Sequence, residues 1–532
     1  MRRNKVLAIA AVLILLMGTL MTGCGSSETS VEVKCTNGVM QGVEVDGVQS
    51  FKGVPFAQSP VGDLRWKAPV APEPSDEVID CSEYGDTAIQ YEWFSESASF
   101  TEKSEDCLTL NIWAAEGSEE PKAVMVWIHG GAHGWGGTND ALYDGQNFVK
   151  AHPEIIYVSV NYRLGVMGWP EFSQIEGGEE YTDVNLGIRD NIMALEWIQE
   201  NIAAFGGDPD NVTIFGESAG GSNVSALMIS PAAEGLFDKA IAQSGVVNQG
   251  MGTREDAQEY GNYIAEEVGA KTMDDLLAIT SDEWIEYDTE LWLADYNCGP
   301  VIDGEIIPED VYGAVKEAGS SGIPLMLGCT TDEYNYWIAE WEGYEYFEEA
   351  LTDHMDETYD SMPAEGDALV DEFIKMQMDQ GLDQTLANSR YVTEGWRYSH
   401  IKYAEEFTAG GGEAYMYLWN VPSNSDTYLK SACHAVDLAY VLNNLEETIF
   451  CGDDPDPVTA ERTQEAWVNF AKTGNPSIEA VEWPQYDATD RNTMKIEVEE
   501  WTVESDPLSE SRQMFEQLRP YQEVLTDWGS TL

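Results

Sequence analysis

The first residues able to do chemistry form the segment GESAG at 216–220, directly after the apolar run NVTIF at 211–215. A serine between glycines, at a sharp turn from a strand into a helix, holds its hydroxyl above the sheet edge as a nucleophile. The helix N-terminus beneath it favours developing negative charge. An ordinary glycine-rich turn that is capped by serine can have the same sequence pattern, but the flanking strand and helix favour the catalytic interpretation. We therefore predict Ser218 as a nucleophile.

A serine that attacks a carbonyl carbon needs backbone N–H donors where the negative charge develops. One donor is expected from the residue after the nucleophile, and others from a glycine-rich loop that follows an earlier strand. The segment HGGAH at 129–133 directly follows the apolar run KAVMVWI at 122–128. A plain strand-to-loop turn is the alternative. We predict an oxyanion hole formed by the N–H groups of Gly131, Ala132 and Ala219.

The serine also needs a general base, and the base needs an acidic partner that fixes its tautomer. Three histidines follow Ser218 in the chain: His354, His400 and His434. His354 and His400 lie in polar, helix-like stretches, which predicts surface positions. His434 lies in a loop beyond the apolar run at 414–419, and catalytic side chains concentrate in such loops. The sequence therefore favours His434 as the base.

The acid is expected at the carboxyl end of another strand. The run PLMLG at 324–328 is a predicted strand, and CTTDE at 329–333 follows it. Either Asp332 or Glu333 would stand at the strand end, and the pattern alone does not separate them. The chain has 96 Asp and Glu residues, so a single carboxylate here is weak support by itself.

The elements that must position these residues alternate between strand and helix, which predicts a largely parallel sheet covered on both faces. Composition changes sharply nowhere, so we predict one large domain with insertions. The predicted strands are 122–129, 155–162, 211–215, 239–243, 324–328 and 414–419, with small strands within 39–56. The predicted helices are 185–205, 218–229 and 461–473.

Composition excludes several classes of protein. The 532 residues include 27 Lys and Arg against 96 Asp and Glu, a formal net charge of −69. Such a surface repels phosphate, so a nucleic-acid partner is not expected. Hydrophobic residues make up 43% and aromatic residues 11%, enough for a large core, which excludes intrinsic disorder. A chain of this length is typical of about three domains or of one large α/β unit.

The N-terminus has the pattern of an export signal. Three positive charges stand within the first five residues, an apolar run follows at 6–21, and small residues precede Cys24. This pattern resembles a bacterial lipoprotein signal, with an uncleaved N-terminal anchor as the alternative. We predict a signal peptide at 1–23, a lipid on Cys24 and a flexible tether at 24–30. The protein is then expected to be exported and anchored on the outer face of the bacterial cytoplasmic membrane or cell surface.

Longer motifs run in order along nearly the whole chain. They are FKGVPFAQSPVGDLRWKAP (51–69), SEDCLTLNIW (104–113), NYRLGVMGW (161–169), the block at 185–221, GLFDKAIAQSG (235–245), LGCTTDE (327–333), ACHAVD (432–437) and WVNFAKTGNP (467–476). Together they resemble the type-B carboxylesterase and cholinesterase-like family of α/β-hydrolases. The resemblance implies a single domain over 31–527, with a large, mostly parallel central sheet flanked by helices and helical insertions around the active site.

The resemblance also implies a reaction and its residues. It implies a carboxylesterase that cleaves small-molecule esters through an acyl-enzyme, with Ser218 as nucleophile, His434 as base and Glu333 as acid. The family acid is the Glu of a DEG motif; here Tyr334 replaces the Gly, so Asp332 stays an alternative. No metal or organic cofactor is required.

Two parts of the site depart from, or extend, the family pattern. The family oxyanion loop has three glycines and then a bulky aromatic residue, whereas here the third position is Ala132 and the next is His133. Alanine still supplies an N–H, and His133 is expected to change the acyl side of the pocket. Glu217, Ser244 and Asp437 match family positions that flank the triad, and we expect them to support it structurally.

The family's early loop disulfide maps onto Cys81 and Cys107, and closing that loop would contribute about 3–4 kcal/mol in the chain-entropy model. Seven cysteines remain after Cys24, so at least one has no partner within the chain. Further candidate pairs are Cys433–Cys451 and Cys298–Cys329, and the alternative for Cys433 is a buried thiol. The resemblance also implies ion pairs Arg65–Glu105 and Arg163–Asp190.

Other functions share these motifs. The family includes adhesion proteins whose triads have decayed, and lipases or thioesterases use the same chemistry. A choline site is not supported. An aromatic-rich set near the acid either lines the substrate gorge or packs helices over the sheet. Its members are Trp284, Trp292, Tyr334, Tyr336, Trp337 and Trp341. The physiological ester and the oligomeric state do not follow from the sequence.

Overall fold

A long, twisted sheet runs through the centre of the molecule. The computed structural model describes residues 29–90, 102–117, 120–247, 251–291, 299–338, 346–425, 427, 429–498 and 500–519. The strands of this sheet follow the order β1-β2-β3-β7-β9-β8-β10-β11-β14-β15-β16-β17, and β4 pairs with β2. Two short pairs, β5 with β6 and β12 with β13, lie outside this sheet. The strands in chain order are β1 Thr29–Cys35, β2 Gly38–Val45, β3 Val48–Pro55, β4 Val78–Asp80, β5 Thr87–Ala88, β6 Lys103–Ser104, β7 Thr109–Ala115, β8 Lys122–Ile128, β9 Ile155–Val160, β10 Gly207–Glu217, β11 Lys239–Gln243, β12 Gly252–Thr253, β13 Val301–Ile302, β14 Leu325–Thr330, β15 Ala414–Trp419, β16 Asn492–Ile496 and β17 Trp501–Ser505.

The middle of the sheet is parallel and its edges are antiparallel. From β9 through β8, β10, β11, β14 and β15 to β16, each neighbouring pair runs in parallel. Every residue of β8, β9, β11, β14 and β15 is buried. Strands buried on both faces read as continuous apolar runs, which is why sequence alone predicted these strands. A large central sheet that is mostly parallel is the architecture that the resemblance implies.

Helices cover both faces of the sheet and form the insertions between strands. Helix α4 follows β10 with only Ser218 between them and is buried along nearly all of its length. The helices are α1 Gln146–Ala151, α2 Gly165–Gly168, α3 Leu186–Asn201, α4 Ala219–Ile229, α5 Arg254–Glu267, α6 Met273–Ala278, α7 Ser281–Leu291, α8 Val311–Ala318, α9 Tyr346–Ser361, α10 Ala364–Asp379, α11 Gln384–Ala409, α12 Leu438–Val441, α13 Thr448–Cys451, α14 Pro457–Thr473 and α15 Ser509–Leu518.

The predicted signal peptide, Cys24 and most of the predicted tether lie outside the described residues. The last two tether positions, Thr29 and Ser30, instead begin β1 and pair with β2. None of the helices in the described ranges is long and apolar enough to cross a membrane. The single domain over 31–527 stays a prediction.

Both predicted ion pairs are present and buried. Arg65 Nε lies 2.6 Å from Glu105 Oε2, and Arg163 Nη2 lies 2.6 Å from Asp190 Oδ1. Arg163 and Asp190 also share an Nε–Oδ2 contact of 2.8 Å, so this pair is bidentate. A fully paired and hydrogen-bonded charge is the form in which arginine is tolerated in a protein interior.

The predicted disulfide is wrong for this structure. Cys81 and Cys107 are both free, buried thiols. Cys81 follows β4 and packs its sulfur 3.8 Å from Met40 Sδ, whereas Cys107 lies beside the Arg163–Asp190 pair. Burial raises the pKa of the Cys81 thiol to about 12, which makes it unreactive. Cys329, Cys433 and Cys451 are free as well, and Cys298 lies outside the described residues.

His400 was expected at the surface and is buried instead. It lies on α11 with an exposed fraction of 1%, and its Nδ1 is 3.0 Å from the Trp396 carbonyl oxygen. Burial lowers the pKa of the His400 imidazole to about 4. His354, on α9, is half-buried rather than exposed.

Candidate active site

Ser218 stands at the sharp turn between β10 and α4. Its backbone angles are φ 58° and ψ −126°, and its N–H donates to the Gln243 carbonyl at 2.9 Å. A non-glycine residue in this region is strained and is held there by its surroundings. Glycine is required on both sides: a Cβ on Gly216 would lie 2.5 Å from the Ile128 carbonyl oxygen, and one on Gly220 would lie 2.0 Å from it. The turn thus has the geometry of a nucleophile elbow.

His434 and Glu333 are brought together from two loops that follow neighbouring strands. Glu333 follows β14, His434 follows β15, and His434 Nδ1 lies 2.5 Å from Glu333 Oε2. The His434 N–H also donates to the Glu333 carbonyl at 3.2 Å. The other carboxylate oxygen of Glu333 accepts from the Ser244 hydroxyl and from the Thr330 N–H, each at 2.7 Å. Glu333 is fully buried, and these contacts leave it one orientation.

Asp332 points elsewhere. Its carboxylate pairs with the Arg390 guanidinium and accepts from the Thr331 hydroxyl. Asp332 immediately precedes the short 3₁₀ helix at 333–336. The geometry therefore brings Glu333, and not Asp332, to the imidazole.

A second carboxylate faces the other side of the imidazole. Glu217 Oε1 lies 3.1 Å from His434 Nε2. Ser218, Glu217 and His434 line the same cleft. Asp437 accepts from Gln243 Nε2 at 2.9 Å, and Gln243 in turn accepts from Trp467 Nε1 at 3.0 Å. Three buried carboxylates thus surround one histidine.

The glycine-rich loop after β8 presses against the serine turn. A Cβ on Gly130 would lie 3.0 Å from the Ser218 Cβ. Gly131 and Ala132 line the same cleft as Ser218. The N–H groups of Gly131, Ala132 and Ala219 donate to no other described residue. The structure therefore brings the predicted donors beside the serine with their N–H groups unused.

A sequence model of the carboxylesterase family matches residues 27–515. The chain belongs to the carboxylesterase family. It is a carboxylic ester hydrolase, and the resemblance inferred from its motifs is confirmed.

The relatives of this carboxylesterase are similar over most of its length. It is 37% identical over 494 residues to the para-nitrobenzyl esterase of Bacillus subtilis (strain 168), covering 90% of this chain and 96% of that protein. It is 31% identical over 540 residues to the cocaine esterase of Homo sapiens, covering 91% of this chain and 90% of that protein.

Solved structures of two esterases are similar to this chain over most of its length. A thermophilic PNB esterase superposes with a TM-score of 0.79 at 33% identity, covering 91% of this chain and all of that one (100%). A carboxylesterase of Geobacillus stearothermophilus gives a TM-score of 0.79 at 30% identity, covering 91% of this chain and 99% of that one.

The carboxylates shift the proton affinities at the carboxylesterase site. Burial by itself lowers the pKa of His434, but Glu217 and Glu333 outweigh burial and raise it to about 9. Burial raises the pKa of Glu217 to about 8, although His434 opposes the shift. Burial likewise raises the pKa of Asp437 to about 6. Glu217, Asp437 and His434 therefore each hold a proton to a higher pH than the same groups do in water.

Aromatic rings form much of the cleft at Ser218, whose empty space is about 700 Å³, counting the part open to solvent. Its aromatic lining residues are Trp135, Tyr143, Tyr336, Trp337 and Phe450. Of the aromatic set singled out in the sequence, Tyr336 and Trp337 therefore line the cleft. Trp284 packs against Trp66 in the core, and Tyr334 is buried beside Trp337, with 5.4 Å between their ring centroids. Trp292 and Trp341 lie outside the described residues.

Sequence reasoning missed the residues that connect the site to the rest of the carboxylesterase. Gln243 ends β11 and links Asp437 to Trp467. Asn223, on α4, accepts from the His133 imidazole at 2.9 Å. Asn223 lies four residues after Ala219, one helical turn along the same face, and that spacing was the only signal available in the sequence.

Proposed function

We propose that this carboxylesterase acts through a Ser218–His434–Glu333 triad and an acyl-enzyme. The observation that carries the proposal is the 2.5 Å contact between His434 Nδ1 and Glu333 Oε2, which leaves Nε2 of the imidazole in the cleft that Ser218 lines. A carboxylate on Nδ1 fixes the tautomer whose Nε2 accepts a proton. Ser244 and the Thr330 N–H support this role because they hold the Glu333 carboxylate in place.

The reaction has two halves. His434 Nε2 takes the Ser218 proton while Oγ bonds to the ester carbonyl carbon, and the carbonyl oxygen becomes an oxyanion. The N–H groups of Gly131, Ala132 and Ala219 bind that oxyanion. The C–O bond to the alcohol then breaks, and the alcohol leaves with the proton from His434. Water repeats the sequence on the acyl-enzyme, which releases the acid and restores the Ser218 hydroxyl.

Glu217 supports the first half of the reaction when it holds a proton. Its raised pKa, caused by burial, keeps the carboxyl protonated to a higher pH than an exposed glutamate. A neutral Glu217 lets His434 Nε2 accept from Ser218, whereas an ionised Glu217 binds a proton on that same nitrogen. Glu217 thus controls whether His434 is free to accept a proton, and His434 remains the base that takes the proton from Ser218.

We propose small esters with an aromatic group as substrates. The para-nitrobenzyl esterase relative supports this class, and so do the rings of Trp135, Tyr336 and Trp337 beside Ser218. Flat aromatic walls provide large contact area and favourable ring packing. Esters of aromatic alcohols should therefore be cleaved with a lower KM than aliphatic esters of similar size.

A fluorophosphonate probe tests the triad directly, because it labels only an activated serine. The wild-type protein should be labelled and Ser218→Ala should not. Ser222→Ala, one helical turn further along α4, is the matched control and should be labelled like the wild type. Absence of labelling in the wild type would favour the non-catalytic adhesion role.

A chain-length series of p-nitrophenyl esters separates this proposal from the lipase and thioesterase alternatives. An esterase of small substrates should lose kcat/KM as the acyl chain lengthens. A maximum at long acyl chains would indicate a lipase, and a preference for acyl thioesters would indicate a thioesterase.

We further propose that the protein is exported and held at the outer face of the membrane by a lipid on Cys24. The positive residues, apolar run and small residues before Cys24 support this location. Cys24→Ser should release the protein in soluble form after export. A variant that stays in the membrane fraction would contradict the lipid anchor.

A further inference from the structure

The oxyanion hole proposed above is built from two separate parts of the chain. Gly131 and Ala132 belong to the loop after β8, and Ala219 is the first residue of α4. An oxyanion must lie about 2.7–3.1 Å from each donor, so a small relative shift of the two parts removes the stabilisation. Something must hold the loop against the helix.

The loop itself is strained. Ala132 has a φ of 44° and His133 a φ of 58°, so two consecutive residues that are not glycine adopt the left-handed region. Such conformations persist only where the surroundings enforce them. The loop therefore needs firm anchors close to these two residues.

Among the described residues, the backbone hydrogen bonds of His133 all come from one side. Its carbonyl accepts from the Gly165 N–H and from Trp169 Nε1, each at 2.9 Å. Both donors lie in the α2 region, which is separate from α4. These bonds fix the loop to the α2 region. On the α4 side, the loop backbone packs closely against the serine turn at Gly130, and the His133 imidazole faces Asn223 and the Ala219 backbone.

The side chain of His133 makes the contact with α4. Its Nε2 lies 2.9 Å from Asn223 Oδ1, and the exposed fractions are 8% for His133 and 0% for Asn223. The imidazole also meets the Trp169 ring edge-on, with 4.8 Å between ring centroids. Asn223 is one turn after Ala219, so the bond joins the residue next to Ala132 to the helix that begins at Ala219.

We propose that His133 is a positioning residue of the oxyanion hole: its hydrogen bond to Asn223 sets the N–H groups of Gly131 and Ala132 at the correct distance from that of Ala219. This inference rests on the proposed triad mechanism. The effect of His133 on the acyl side of the pocket stays a prediction, and its ring is turned to Asn223 and Trp169.

The test removes the hydrogen bond between His133 and Asn223 and keeps an aromatic ring at position 133. His133→Phe retains an aromatic side chain against Trp169 and loses the donor to Asn223. Because the negative charge on the carbonyl oxygen is absent from the bound ester and develops only as the serine attacks, kcat should fall about 10- to 100-fold while KM changes less than about threefold. His133→Gln, which keeps an N–H donor, should recover at least part of the lost kcat. Asn223→Leu breaks the same bond from the helix side and serves if His133→Phe does not fold.

Inhibitor binding separates positioning from a general structural role. A trifluoromethyl ketone forms an oxyanion on the serine, so its Ki should rise by the same factor as kcat/KM falls. Binding of p-nitrobenzyl alcohol, which has no carbonyl, should stay unchanged. Ser225→Ala is the matched control: it removes a buried hydroxyl of α4 that bonds Ser222 O and the Val247 N–H, and it should lower stability while kcat is kept.

The outcomes are distinct. Wild-type kcat in both His133→Phe and Asn223→Leu would overturn this inference and leave the triad intact. Equal changes in ketone and alcohol binding would also overturn it, because they indicate general loss of structure. A wild-type protein that neither hydrolyses esters nor reacts with fluorophosphonate would overturn the triad and this inference together.

Discussion

Glu217 Oε1 lies 3.1 Å from His434 Nε2, opposite the 2.5 Å contact between Glu333 and Nδ1 of the same ring. The imidazole is therefore held between two buried carboxylates. One of them fixes the ring for catalysis, and the other competes with Ser218 for the same nitrogen. The protonation state of Glu217 thus bears directly on how much neutral, reactive His434 is present.

Removing the charge of Glu217 should shift the pH dependence of the reaction. The raised pKa of His434, about 9, means that kcat/KM of the wild type should rise with pH towards that value, because only the neutral imidazole accepts a proton. Glu217→Gln removes one of the two carboxylates, so the rise should move about 1 pH unit lower. A kcat/KM profile measures the shift. Glu234→Gln, an exposed position, is the control, and an unshifted Glu217→Gln profile would contradict the argument.

The two candidate acids can be separated by amide substitution. Glu333→Gln keeps the shape but no longer holds the imidazolium, so kcat should fall about 10³- to 10⁴-fold. Asp332→Asn weakens only its pairing with Arg390 and should change kcat less than about threefold. Steady-state kinetics on both variants decide the assignment. A large loss in Asp332→Asn alone would reverse it.

Asp437 should reduce stability at high pH. Burial raises its pKa from 3.8 to about 6, so the folded state holds this proton more tightly than the unfolded state. The stabilisation that the protonated Asp437 carboxyl provides is complete below its unfolded-state pKa of 3.8, and it is lost as the pH rises through the folded-state pKa of about 6. Asp437→Asn should therefore stabilise the protein by about 1 kcal/mol more at about pH 8 than at about pH 5. Urea unfolding at both values measures this, with exposed Asp63→Asn as control. A gain independent of pH would rule out the linkage.

The free thiols of Cys81 and Cys107 predict stability that does not depend on reductant. Both thiols are free and buried, and the Cys81 sulfur lies 3.8 Å from Met40 Sδ. The melting temperature with and without dithiothreitol should agree within about 1 °C, since a disulfide of this kind would shift it by several degrees. Mass spectrometry after alkylation of the unfolded protein should find both thiols modified. A melting point that falls on reduction would restore the disulfide.

Sequence reasoning succeeded where one physical property dominated. The strands β8, β9, β11, β14 and β15 are buried on both faces, so their residues are continuously apolar and their limits were predicted to within a few positions. The serine turn was predictable because close backbone approach at Gly216 and Gly220 excludes any side chain.

It failed where a side chain's partner is distant in the chain. His400 has polar neighbours along α11, yet its own side of that helix is buried, so local polarity misled. Asp332 and Glu333 are adjacent in sequence, and only the partners Arg390 and His434 separate them. The cysteine pair was predicted from a resemblance that carries no information about how Cys81 packs on Met40.

The site joins segments that are far apart along the chain. Glu333 and His434 are 101 residues apart, and Gln243 and Asp437 are 194 apart, yet each pair is in direct contact. Contacts between remote segments form late and slowly, because a large loop must close before they give any stabilisation. Ester hydrolysis should therefore return only at the end of refolding, after most of the tryptophan fluorescence has recovered. Recovery of ester hydrolysis is therefore a sensitive assay for assembly of the whole parallel sheet.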